Sequence, residues 1–257
     1  MDAFIPDYIV PLIEPRAWAR AFILGGIAVG LWMGLGRTTV DPRQRTVTWL
    51  AVVLPLLAWY FAIWQFARTG GFQPRPAGGG APLPLLPMAI FLPLLIALPL
   101  LIRSKRLAAV LDAVSPAWLV GFQVYRVLGY VFLTRWAAGD LPGVFALPAG
   151  IGDVLVGALA LPVAFYLRTG AVGGRAAAYA WNLLGILDLL IAVTIGALTA
   201  TGRLPVEVPN AATTSFPLVM IPAFAVPLSL ILHGVSLWQL ARGARAAPAQ
   251  ALSARPG

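Results

Sequence analysis

Apolar residues gather in seven long runs, each separated from the next by a short stretch rich in charge, glycine or proline. A bilayer core about 30 Å thick is crossed by about 20 residues of helix. The runs at 17–36, 45–67, 85–102, 114–135, 142–168, 175–200 and 216–241 are of that order. The pattern predicts an all-α fold, a polytopic bundle of seven transmembrane helices. Residues 1–16 read as an interfacial segment, because Phe4, Tyr8, Ile9, Leu12 and Ile13 are interrupted by Pro6, Pro11 and Pro15. Residues 17–67 then form a first helix pair, 69–84 a Gly/Pro-rich loop, 85–241 a five-helix portion and 242–257 a basic, disordered tail. Together they make one transmembrane domain. The opening MDAFIPDYIVPLIEP has acids but no basic stretch, so a cleavable signal is not expected.

Composition agrees with the pattern. Of 257 residues, 60% are hydrophobic and 11% charged, with a mean hydropathy of +0.87. A soluble chain carries roughly 25% charged residues. Lipid must therefore cover much of this surface, which argues against a cytosolic enzyme, a secreted disulfide scaffold or a disordered region. There is no cysteine and a single histidine, His233. Disulfides, thiolate nucleophiles and iron–sulfur clusters are excluded within the chain, and a structural zinc site lacks its usual ligands. Lys105, the sole lysine, lies between two apolar runs, so a retinal Schiff base in the last helix is excluded as well. Bis-histidine haem ligation is impossible within one subunit, a His/Met pair is not excluded, and the sequence leaves the cofactor unknown.

The net charge of +9 is best explained by loop asymmetry, without nucleic acid as a partner. With the N-terminus outside, eleven basic residues lie on the inner side, among them Arg37, Arg43, Arg103, Arg168 and Arg242; six lie on the outer side. The expected topology is therefore N-out and C-in. Trp118, Trp136, Trp181 and Trp238 lie near run ends and read as interface anchors.

Ionisable residues inside a span are costly, at least ~2.5–3.5 kcal/mol each on insertion scales, so each needs an explanation. Arg126, Asp153 and Asp188 all fall near half-depth of their runs. Two acids facing one arginine leave one carboxyl over, to be neutralised by a proton or a cation. Asn182 and His233 fall lower, toward the inner side. Helical spacing places Ser229, His233 and Ser236 on one face of the last run, continued by Gln239, and places Gln123, Arg126 and Tyr130 on one face of the fourth. These positions form the candidate site: Arg126, Asp153, Asp188, Asn182 and His233, supported by Gln123, Tyr130, Ser229 and Ser236. No catalytic set and no metal-ligand cluster is recognisable among them.

Both aspartates belong to a repeated phrase, GIGDVLVG at 150–157 and GILDLLIA at 185–192. Consecutive spans run in opposite directions, so the repeat is inverted across the membrane, a device of transporters. Its small residues at 150, 157, 185 and 192 would let the two spans approach closely. The strings FALPAGIGDVLVG, WNLLGILDLLIA and PAFAVPLSLILHGVSLWQL resemble an uncharacterised family of bacterial multi-pass membrane proteins, over roughly 120–240. The resemblance implies a cytoplasmic (inner) membrane and carries no activity with it. Three functions compete. The first is a small transporter, or a proton- or cation-translocating protein, in which the Arg/Asp/Asp group is the site and Asn182 and His233 line the inner exit. The second is a seven-helix sensor or binding protein for a small lipophilic ligand. The third is a membrane subunit serving assembly, as a homo-oligomer or within a complex. An embedded enzyme is the least supported class.

Overall fold

The computed structural model describes residues 15–73, 85–103 and 110–253. Among them the chain is all-α, with eight α-helices. These are α1 (Pro15–Leu35), α2 (Pro42–Arg68), α3 (Leu85–Arg103), α4 (Pro116–Phe122), α5 (Tyr130–Ala137), α6 (Gly143–Arg168), α7 (Gly174–Ala200) and α8 (Val226–Ser253). Five stretches are long and apolar enough to cross a membrane: α2, the continuous Pro116–Ala137, α6, α7 and Ile221–Gly243. Shorter apolar stretches occur in α1 (Ala21–Leu35) and α3 (Leu85–Leu100). Large apolar side chains such as Leu95, Ile151 and Phe165 stand more than half exposed. Such surfaces suit a lipid bilayer environment.

Local chemistry accounts for the helix boundaries. Asp41 caps α2 by accepting from the backbone N–H groups of Arg43 and Gln44, and Pro42 occupies the first turn, where its missing N–H costs nothing. Arg45 ties α2 to α1 by donating to the Trp32 carbonyl at 2.8 Å and stacking over the Trp32 ring. Gly173 turns the chain into α7 with φ +87°, a conformation that a Cβ would strain.

The main apolar core joins α1, α2, α4 and α8 through Leu31, Tyr60, Leu119, Phe122, Phe224 and Leu232. A second core, built on Val120, Val156, Ala160 and Trp181, joins α4, α6 and α7. The α6–α7 pair, which carries both aspartates, packs along its length.

Four expectations are corrected. The fourth run is not one regular helix: a 3-10 segment, Gln123–Gly129, separates α4 from α5. The last run does not start at 216; it opens with a π-helical turn, Ile221–Ala225, and continues as α8. Residues 242–253, read as disordered tail, extend α8 to Ser253. Trp181 is no interface anchor: it is 3% exposed, and its Nε1 donates to the Val156 carbonyl at 2.9 Å. The interfacial segment up to residue 14, loop residues 74–84 and Lys105 lie outside the described residues.

Candidate functional site

Arg126 sits within the 3-10 segment. In a 3-10 helix positions i and i+3 eclipse, so Gln123, Arg126 and Gly129 share one edge. Arg126 is 3% exposed, and its guanidinium joins four partners. Nε donates to Asp153 Oδ1 at 2.8 Å, and Nη2 reaches the same oxygen at 2.8 Å. Nη2 also donates to Asp188 Oδ2. Nη1 donates to the Gly185 carbonyl at 3.3 Å and meets His233 Nε2 at 3.2 Å. A guanidinium has five N–H groups. Four hydrogen bonds and one further ion-pair contact occupy most of that capacity.

A further layer orients the histidine. His233 Nδ1 lies 2.9 Å from Asn182 Oδ1. The Asn182 amide nitrogen donates to the Ala178 carbonyl at 2.8 Å and to Ser236 Oγ at 3.0 Å, so its oxygen is the acceptor. His233 Nδ1 thus carries the proton, and Nε2 accepts from Arg126. His233, Asn182 and Ser236 are fully buried, and the Trp181 ring lies 4.9 Å from the imidazole, centroid to centroid.

Glycines make the close packing possible. A Cβ on Gly185 would overlap the His233 ring, and one on Gly129 would overlap the Asp153 side chain. One on Gly157 would press on the backbone nitrogen of Val127, inside the 3-10 segment. At the level of the site Gly152 brings α6 against α7, where it leaves room for Asp188 Oδ1. Of the small residues of the repeated phrase, Ala192 packs against the cluster that holds Phe145, Ala146 and Ala149 of α6, whereas the three glycines serve a different contact from the one expected. Gly150 and Gly157 receive the Leu133 side chain and the Arg126–Val127 backbone; they do not face the other aspartate-bearing span.

Above the cluster lies a cavity of about 670 Å³. Ligand pockets run to about 300–1,000 Å³, so this one has room for a small organic molecule. Arg126, Asp153 and Ser229 line its deep end; Tyr60, Leu128, Tyr130, Ile221 and Phe224 contribute to its walls; Thr134 and Arg135 lie farther out. Toward the end of the chain its lining runs from Pro217, ahead of the π-turn, to Ser229 in α8, and stops one turn short of His233. The cavity therefore belongs to the half of the bundle that holds the α5–α6 turn, and the buried His233–Asn182–Ser236 layer closes the other half.

The structure brings together Arg126, Asp153, Asp188, Asn182, His233 and Ser236. His233 and Asn182 do not stand apart at an exit; they join the same network. Ser229 is held by Tyr125, whose hydroxyl lies 2.7 Å from Ser229 Oγ, and so does not serve the imidazole. Gln239 donates to the Leu111 and Val114 carbonyls. Gln123 is fully buried, and neither polar atom of its side chain has a hydrogen-bond partner among the described residues. Tyr130 leaves the shared face, because the 3-10 segment ends before it; it is 54% exposed and belongs to the cavity wall. Tyr125 and the Gly185 carbonyl went unforeseen. The tyrosine hydroxyl among apolar neighbours was the available signal for the first, and a backbone carbonyl leaves none. Among the described residues no group of three or more His, Asp or Glu side chains comes together to hold a metal ion.

Residues 83–241, more than half of the chain, match the model of a domain of unknown function (DUF8737). No curated protein and no solved structure matches.

Proposed function

The chain belongs to the DUF8737 family, and we propose that it is a multi-pass membrane protein that binds a small, largely apolar molecule in the cavity above Arg126 and Asp153. The observation that carries this reading is the join of two features: an apolar-walled space of ligand size and a built ionic floor. A purely structural ion pair requires no cavity above it. Among pockets, an apolar body with a few convergent polar groups is the arrangement that binds small molecules. In this reading seven helices cross the cytoplasmic membrane with the N-terminus outside, and the cavity opens outward. The pair α1 and α2 stands ahead of the matched region, and supplies Ile23, Leu24 and Tyr60 to the cavity wall.

Filling the space tests the reading. Ala225 lines the cavity, and Ala225→Trp places an indole there. Wild-type protein in nanodiscs should gain thermal stability from short-chain amphiphiles, and Ala225→Trp should gain little. Equal stabilisation of both proteins would overturn the assignment.

A second reading, translocation of the bound molecule, has its own observation. The 3-10 segment Gln123–Gly129 and the π-turn Ile221–Ala225 are irregular backbone flanking one site at mid-crossing. Transporters place their sites at such discontinuous helices. Proteoliposomes would show a substrate-driven flux lost in both Asp153→Asn and Asp188→Asn. Liposomes no leakier than empty ones, with binding intact, would leave binding as the whole function.

A further inference from the structure

We infer that the cavity selects molecules ending in a protonated amine, whose ammonium group docks on Asp153. The inference rests on the binding reading above and names the chemistry of its ligand. It follows from which hydrogen-bonding groups are spent and which are free. Arg126 spends four hydrogen bonds on Asp153, Asp188, Gly185 and His233, and Nη2 makes a further ion-pair contact with Asp153, so the guanidinium is turned to partners of its own chain and is poorly placed to serve an anion. The carboxylates are in the opposite condition. Asp153 takes both arginine contacts on Oδ1, and its Oδ2 accepts no hydrogen bond among the described residues. That second oxygen lies against Gly129, and Gly129 and Asp153 both line the cavity.

Charge points the same way. One arginine faces two aspartates, so with both carboxyls ionised the cluster carries a surplus negative charge in a low-dielectric setting, which a bound cation would balance. The other cation on the cavity lining, Arg135, is engaged by Asp140 at 2.8 Å. An ammonium supplies donors and a positive charge, and it meets acceptors without donors. A carboxylate or phosphate would meet those same acceptors and be repelled. The walls decide between an organic and an inorganic cation: Leu128, Ile221 and Phe224 reward an apolar body, which a hydrated metal ion lacks.

The test compares hexylammonium, hexanol and hexanoate, which share one apolar body and differ in the head group. Binding to nanodisc-embedded protein is measured at constant ionic strength and neutral pH, with sodium and potassium chloride as further arms. Hexylammonium is expected to bind about tenfold or more tightly than hexanol, the scale of a charge-assisted hydrogen bond, and hexanoate most weakly. Asp153→Asn and Asp188→Asn should each erase that preference while keeping hexanol binding, because either change balances the cluster; retained hexanol binding also certifies that the variant is folded. Hexanol binding as tightly as hexylammonium, hexanoate binding best, or sodium or potassium acting as strongly as the amine would each overturn the amine assignment and leave the pocket standing. No binding by any of the three hexyl compounds would overturn both.

Discussion

At the scale of single residues, the arginine is the member the cluster needs most. Removing one partner from a buried ion pair costs roughly 3–5 kcal/mol, because a charge is left without compensation. Arg126→Ala leaves two such charges, whereas Asp153→Asn or Asp188→Asn leaves Arg126 with one carboxylate. Thermal unfolding in detergent should therefore rank Arg126→Ala as the most destabilised of the three. An aspartate variant that unfolds as early as Arg126→Ala would contradict the shared-partner geometry. The convergence of these three residues was legible in the sequence, since an ion inside an apolar run requires a counter-ion and the depths agree. His233 was legible as interior but not as a direct partner of Arg126. Depth along a straight helix puts it too low, and the contact depends on the 3-10 segment and on Gly185. Gln123 was legible only as a polar residue on the arginine's face; its two unpartnered amide atoms follow from how the neighbours pack.

At the scale of elements, irregular backbone surrounds the site. The break at Gln123–Gly129 contains no proline, and no local residue demands it. It arises from packing: Gly157 of α6 admits the Arg126–Val127 backbone, and Gly129 admits Asp153. A hydropathy run cannot reveal this, which is why the fourth run read as one helix. The π-turn at Ile221–Ala225 did have a signal in Pro222, yet its five-residue spacing is set by the tertiary environment. Glycine substitutions separate the two roles of that residue. Gly157→Ala should cost about 1–3 kcal/mol by overpacking, since the atom it meets is backbone and cannot swing aside. Gly25 has nothing within 4 Å of a built Cβ, so Gly25→Ala should raise stability by roughly 0.5–1 kcal/mol through the helix preference of alanine. Unfolding midpoints of opposite sign relative to wild type would bear this out. Equal effects would mean that Gly157 does not hold the 3-10 segment in place.

At the scale of the whole molecule, the helical membrane class was legible throughout, because composition and run length are global properties. The cavity was not, because it arises from residues on six separate stretches that no spacing rule connects: Ile23, Tyr60, Arg126, Asp153, Leu189 and Phe224. Sidedness can be read out cleanly, since the chain has no cysteine. Ala138→Cys and Val172→Cys occupy exposed turns at opposite ends of α6. An impermeant thiol label applied to intact cells should reach Ala138→Cys and spare Val172→Cys; the reverse would invert the proposed orientation. The most direct test of the central claim uses two near-isosteric changes one above and one below the ionic cluster. Ser229 lines the cavity, and Ser236 is sealed behind His233 and Asn182. In purified protein, a small cationic thiol reagent should modify Ser229→Cys, be slowed there by hexylammonium, and leave Ser236→Cys untouched. Modification of both cysteines, of neither, or of Ser229→Cys without protection would contradict a cation-binding cavity that is open at one end and closed at the other.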